Sequence, residues 1–262
     1  MIITLLTDMG TKDAAVAATK AALMHAIADA EVVDISHGVS RHNWREAAYL
    51  LSTAYHSFPQ GTVHLVPVAV FTERQPRMIL AKKDGHYFIA PDNGLLPAAL
   101  GIDTIATVML CHQYTKPYNF TQWLSDAAKL IPTLPEGENL MEDGFALITQ
   151  PPLPPPHVTP INVVCRALYA DRYNNIVVNI TQKEFDNIQQ SRQFKIRTFK
   201  GQNITSISRH YNDVAIGEPL CRFNKAGFLE VAVNHGSAME LFGLEPGDTT
   251  ALDYHTVRIY FN

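Results

Sequence analysis

Only three cysteines, Cys111, Cys165 and Cys221, occur in the 262 residues, and no two fall at C-x-x-C spacing. That excludes a sequence-local zinc site and a disulfide framework, and it fits a reduced, cytoplasmic setting. No run of about 18 apolar residues is present, and no cationic leader precedes an apolar segment, so neither a membrane span nor a secretory signal is expected. Cationic excess is absent as well: Lys and Arg number 21 against 25 Asp and Glu, a net charge of -4. Without a basic field the chain has no general means of gripping a phosphate backbone, and nucleic acid is not expected as its partner. Missing too are G-x-G-x-x-G after the first strand, G-x-x-x-x-G-K-[ST], G-x-S-x-G and H-E-x-x-H, which removes the usual support for nucleotide-fold, serine-hydrolase and zincin readings.

What is present is a 47% hydrophobic chain, long enough for one large or two medium domains. Its first half alternates strand and helix signals. The apolar run Ile2 to Leu6 is followed by an alanine-rich stretch from Lys12 to Ala28 with helical spacing, and then by a short strand, Glu31 to Ile35. Asn43 to Phe58 reads as a helix capped by Asn43 and stopped before Pro59, and Thr62 to Val66 as a third strand. This succession predicts an α/β domain with a largely parallel sheet. Arg77 to Lys82 and His86 to Ala90, joined through Lys83-Asp84-Gly85, predict a hairpin.

Pro151 to Pro156 holds five prolines in six residues, which predicts a stiff linker. Beyond it, Asn162–Ala170, Ile176–Ile180, Phe194–Phe199, Pro219–Phe223, Phe228–Val233 and Val257–Phe261 read as short strands of a small barrel or sandwich. Ser237 to Phe242 reads as a helical turn ended by Gly243. The expected division is an α/β domain over 1–150, a proline-rich linker over 151–160, and a smaller, mostly β, barrel-like domain over 161–262.

Four polar clusters interrupt these elements. Thr7-Asp8-Met9-Gly10 ends the first strand, and Asp8 is either a carboxylate delivered to the strand's C-terminal edge, where α/β sheets bind ligands, or an acid that bonds its own turn. Pro91-Asp92-Asn93-Gly94, Asp171-Arg172-Tyr173-Asn174-Asn175 and Asn234-His235-Gly236-Ser237-Ala238 have turn composition, yet amides suit a purine edge and carboxylates suit hydroxyls or an amino group. His37 and His42 lie close together after a strand, but a metal site there lacks an identifiable third ligand.

Taken in order, these clusters, with Val33-Asp34-Ile35-Ser36-His37 and Phe58-Pro59-Gln60-Gly61-Thr62-Val63-His64, resemble the S-adenosyl-L-methionine hydroxide adenosyltransferases, a family that includes chlorinases and fluorinases. The resemblance implies an N-terminal α/β domain, a C-terminal β-barrel domain, and a homotrimer with sites between subunits. It implies an adenosyl ligand and no metal or organic cofactor. Asp8 would bind the ribose hydroxyls and Asp171 the methionine amino group. Asn175, with the loop from Asn234 to Ala238, would hold the adenine, and His42 would touch the ligand. Arg74, in Thr72-Glu73-Arg74, would anchor the nucleophile.

One departure stands out. Hydrolytic relatives carry Asp-Pro-Gly-Val-Gly before that segment and a His in Phe-His-Gly-Arg-Asp. This chain has Pro67-Val68-Ala69-Val70-Phe71 and Lys116-Pro117-Tyr118-Asn119-Phe120-Thr121-Gln122-Trp123 instead. Two functions follow: cleavage of the C5′–sulfur bond of S-adenosyl-L-methionine, giving adenosine and methionine when water attacks, or adenosyl binding and sensing with turnover lost.

Overall fold

The computed structural model describes residues 1–71, 76–101, 109–110, 119–136, 155–198, 201–245, 252 and 255–262. The chain divides into two compact units, Met1–Pro152 and Leu153–Asn262.

The first unit runs β1 (Ile2–Leu6), α1 (Ala15–Ala26), β2 (Glu31–Ser36), α2 (Trp44–Ala54), β3 (Val63–Leu65), β4 (Met78–Lys83), β5 (His86–Pro91), α3 (Leu95–Leu100), β6 (Met109–Leu110) and α4 (Phe120–Leu130). Its sheet has the order β2-β1-β3-β5-β4-β6. The β1–β2, β1–β3 and β3–β5 pairs are parallel, and β4 runs antiparallel to β5 and β6. In β1 successive side chains point to opposite faces and Ile3, Thr4, Leu5 and Leu6 are all fully buried, so helices must cover both faces. Ile3 and Leu5 pack with Leu23 of α1 and Trp123 and Ala127 of α4. Leu6 packs with Ala47 and Leu51 of α2, Leu95 and Leu96 of α3, and Phe88.

Local signals account for most boundaries. Asn43 accepts a hydrogen bond from the Glu46 amide at 3.1 Å and caps α2, which passes into a 3₁₀ turn over Tyr55–Ser57. In the β4–β5 hairpin Asp84 and Gly85 both take left-handed backbone, φ 51° and 79°, as a tight two-residue turn requires. α1 begins at Ala15 rather than Lys12, where Asp13 accepts the Ala15 amide at 2.9 Å. α3 and α4 carry no sequence expectation. α4 is nonetheless opened by a capping box, with Asn119 accepting from the Gln122 amide and Gln122 from the Asn119 amide.

The second unit runs β7 (His157–Val158), β8 (Asn162–Ala170), β9 (Ile176–Thr181), α5 (Gln182–Gln189), β10 (Phe194–Arg197), β11 (Asn203–Ile204), β12 (Pro219–Phe223), β13 (Phe228–Val233), α6 (Ala238–Leu241) and β14 (Thr256–Phe261). These strands form one eight-stranded antiparallel sheet of order β11-β10-β14-β8-β9-β13-β12, with β7 on β8. β8 pairs with β14 along its first half and β9 along its second, which curves the sheet. Just past β11, Ile207 bridges Cys221 of β12, bringing the two ends of the sheet together into a near-barrel. Val163, Cys165 and Ala167 alternate inward from β8 onto Phe185 of α5, which meets the Phe194 ring edge to face at 5.1 Å. The α/β and barrel-like architecture expected from the sequence is the one observed. Of the expected linker, 151–154 lie outside the described residues, and His157–Val158 already pair with β8.

Two predictions follow. The Thr181 hydroxyl accepts the Glu184 amide at 3.3 Å, and the Glu184 carboxylate accepts the Thr181 amide at 2.8 Å, so Thr181→Ala should cost about 0.5–2 kcal/mol, read as a lower thermal midpoint. In the first unit, burial, with His86 adding its effect, pushes the fully buried His64 down to about 3. The unfolded imidazole takes its proton near pH 6.5, so between about pH 6.5 and 3 the unfolded state binds more protons and stability falls as pH drops. Urea unfolding followed by Trp44 and Trp123 fluorescence should show this slope, and His64→Gln should flatten it by about one proton.

Candidate functional site

In the first unit β1 lies between β2 and β3, so the chain leaves β1 toward one side of the sheet and returns to the other. The crevice beyond the carboxyl ends of β1 and β3 is the switch point at which open α/β sheets bind ligands. Asp8 sits there. Its Oδ2 accepts the Ala69 amide at 3.1 Å from the loop after β3, and the His42 amide at 3.2 Å from the loop after β2. Both donors are left-handed non-glycine residues, His42 at φ 61° and Ala69 at φ 51°. Asn93, between β5 and α3, donates to the Val68 carbonyl at 3.0 Å and holds the Ala69 loop from the other side. Its neighbour Asp92 is a buried carboxylate paired with Arg77 at 2.6 Å.

The loop carrying Asp8 is itself fixed. The Thr7 hydroxyl meets His37 Nδ1 at 2.9 Å, and the Gly10 amide donates to the His37 carbonyl at 2.8 Å. His37 Nε2 lies 3.1 Å from Asp34, which also bonds Lys20 at 2.8 Å. Partial burial opposes ionisation of Asp34, but the hydrogen bonds from Lys20 and His37 prevail and hold its carboxyl below the usual range.

The second unit contains a cavity of about 760 Å³ lined by Asp171, Tyr173, Asn174, Asn175, Tyr211, Val233, Asn234, His235, Gly236, Ser237 and Glu240, a set without Lys or Arg. Two loops build it. Asp171 Oδ1 accepts the Tyr173 and Asn175 amides at 2.8 and 3.0 Å, and its Oδ2 accepts from the Asn175 side chain at 3.0 Å. The turn after β13 is tight at Gly236, where a Cβ would lie 2.6 Å from Val233 Cγ1 and force that side chain to shift. Ser237 caps α6 by accepting the Glu240 amide, and the Met239 amide donates to the Asn174 carbonyl at 3.2 Å, tying the two loops together.

Of the residues singled out from the sequence, Asp171, Asn175 and Asn234 share this cavity. Ala238 is buried at the start of α6, next to the lining Ser237. Asp8 and His42 meet in the first unit, with the backbone amide of His42 as the contact. Arg74 lies outside the described residues, as do Thr72 and Glu73. Sequence reading missed Tyr211 and Glu240. Tyr211 stands in a 3₁₀ turn whose Asp213 accepts the Arg209 and His210 amides, and that Asp was the signal that could have marked the turn.

Residues 3–126 match the SAM hydroxide adenosyltransferase N-terminal domain, and residues 165–251 match the C-terminal domain of the same name. The chain belongs to the SAM hydroxide adenosyltransferase family. Among this family's members it is 28% identical to an (R)-S-adenosyl-L-methionine hydrolase of Methanocaldococcus jannaschii, over 97% of this chain and 96% of that one. It is 31% identical to a protein of the same name from Salinispora tropica, over 92% and 94% of the two chains. The structure is similar to that of an uncharacterized conserved protein from Thermotoga maritima, with a TM-score of 0.78 and 26% identity over 99% of both chains.

Because Asp8 holds the His42 and Ala69 amides, Asp8→Ala should speed hydrogen exchange at both by about tenfold or more, the usual worth of a hydrogen bond to a charged acceptor. Amides within β1 and β3 should exchange as before. Unchanged protection at both positions would show that the two loops are held by other contacts.

Proposed function

We propose that this chain binds S-adenosyl-L-methionine and cleaves its C5′–sulfur bond by substitution, with water as the nucleophile, giving adenosine and methionine. The observation that carries this reading is the second-unit cavity. Asp171 and Glu240 face a space without a lining cation, which suits a ligand bearing ammonium and sulfonium charges. Asn175 and Asn234 each commit their side-chain nitrogen to the protein, to Asp171 at 3.0 Å and to the Val214 carbonyl at 2.8 Å. That leaves carbonyl oxygens suited to accepting an exocyclic amino group such as that of adenine. The lengthwise similarity to hydrolases in two other organisms supports the same reading.

In this reading Asp8 bonds the ribose hydroxyls through Oδ1 while Oδ2 stays on its two amides. Asp171 and Glu240 hold the ammonium end. The sulfonium is an excellent leaving group, so the protein's task is to align C5′ with the incoming oxygen and limit competing water. The C5′–O bond forms as the C5′–S bond breaks, the sulfur keeps the bonding pair as neutral methionine, and the water proton passes to solvent. No metal or organic cofactor takes part. We further place the protein in the cytoplasm as a homotrimer with sites between subunits.

The loop after β3 sets the expected rate. Val66, Val68, Ala69 and Val70 are buried, and its backbone groups bond inward, the Val68 amide to the Val66 carbonyl at 2.9 Å and the Ala69 amide to Asp8. Among its described residues, 66–71, none has a polar side chain with which to orient water, leaving Arg74 as the proposed anchor. General-base help is typically worth about 10²–10⁴-fold, so hydrolysis should be slow. Chromatography of single-turnover reactions should show adenosine and methionine forming slowly, more slowly in Arg74→Ala, and faster when Asp-Pro-Gly-Val-Gly replaces the apolar loop. Asp171→Asn should weaken binding by about tenfold. Absence of both binding and product in the natural chain would refute the proposal.

A further inference from the structure

Tyr211 is 40% exposed, so burial alone does not fix its ring at the cavity wall. Two side chains do so, one at its hydroxyl and one at its ring. Its hydroxyl donates to Glu230 Oε1 at 2.7 Å, and the Arg222 guanidinium carbon stands 4.8 Å from the ring centroid. Arg222 on β12 and Glu230 on β13 are direct register partners, so one cross-strand pair delivers both contacts. The pair is an expensive choice for a purely structural purpose: Glu230 is only 5% exposed, and a buried carboxylate is costly unless it is hydrogen-bonded. Apolar residues at these positions would pack a barrel wall without that penalty. What the pair achieves is a locked aromatic ring. A tyrosine whose hydroxyl is bonded at one end and whose face is stacked on a cation has lost its freedom before any ligand arrives.

We infer that Glu230 and Arg222 are positioning residues that hold Tyr211 as a preformed aromatic wall of the cavity, against which a planar base of the ligand packs. The inference rests on the adenosyl reading for the identity of that base. Glu230 bonds the lining Tyr211 without itself lining the cavity, which distinguishes it from the lining acids Asp171 and Glu240. Arg222 supports the ring without lining the cavity, so the cavity remains free of cationic walls.

The test uses the full chain labelled at tyrosine Cζ with carbon-13, with the Tyr211 resonance identified by its loss in Tyr211→Phe. Adenosine is the calorimetric probe. Glu230→Leu should move the Tyr211 resonance, leave the other tyrosines in place, and weaken adenosine by about three- to tenfold, the cost of ordering one freed side chain on binding. Glu230→Gln, which keeps an acceptor oxygen, should restore both signals toward the natural chain. Arg222→Leu should weaken adenosine to a similar extent. If Glu230→Leu does not fold, Tyr211→Phe removes the same hydrogen bond and should bring the same loss of affinity.

An unmoved Tyr211 resonance in Glu230→Leu overturns the positioning role. So does unchanged adenosine affinity in the variants, or a Gln variant as impaired as the Leu variant. A natural chain that does not bind adenosine refutes the adenosyl reading instead, and the ring resonance still decides whether Glu230 holds Tyr211.

Discussion

One oxygen of Asp8 receives two backbone amides from two different loops, and the geometry of the first unit's candidate site depends on that shared acceptor. Each donor residue is held in a left-handed conformation that costs a non-glycine residue on the order of 1–3 kcal/mol. A hydrogen bond to a charged acceptor contributes about 1.5–3 kcal/mol, so the carboxylate offsets the backbone strain with little to spare. The Asn93 bond to the Val68 carbonyl adds a second hold on the Ala69 loop. Without Asp8, the His42 and Ala69 amides lose their shared acceptor, and the switch-point crevice loses one of the bonds that shape it.

The second unit follows the same economy. Asp171 organises its own turn with both oxygens, Asn175 and Asn234 anchor their nitrogens on the protein, and the Met239 amide closes one loop on the other. Each of these cavity-lining side chains is thus tied to the scaffold by at least one hydrogen bond. The turn-forming role that the sequence offered for Asp8 and Asp171 is the one these hydrogen bonds display, and it is compatible with the ligand contacts proposed for them.

How far the sequence could be read followed from how local the cause was. β1, β8, β12 and β13 were legible because short, largely apolar runs bounded by Asp, Asn or Gly need nothing distant to define them. α5 was not legible. Its residues are mostly polar, with Phe185 as its buried anchor, and only the Thr181–Glu184 capping box announced it. Asp8, Asp171, Asn175 and Asn234 stood out as polar clusters at strand ends. Tyr211 did not, because its importance comes from Glu230 and Arg222, and their pairing exists only once β12 and β13 have found their register. Likewise the amide of His42, not its ring, makes the contact with Asp8, and backbone atoms leave no mark in composition.

Thr4, His64 and His86 form a buried polar thread through the first sheet, with Thr4 Oγ1 2.7 Å from His64 Nδ1 and His64 Nε2 3.1 Å from His86 Nδ1. Thr4 and His64 are direct partners across β1 and β3. A strand slipped by one residue would turn every side chain to the opposite face, stranding the hydroxyl and two imidazoles in a hydrocarbon interior where each would lack its mate. Apolar residues alone would tolerate several alignments of such short strands. The thread makes the sheet legible to itself as it assembles: the observed alignment of β1 on β3 sets the Thr4 hydroxyl against the His64 ring, and it also brings Asp8 within reach of the Ala69 amide.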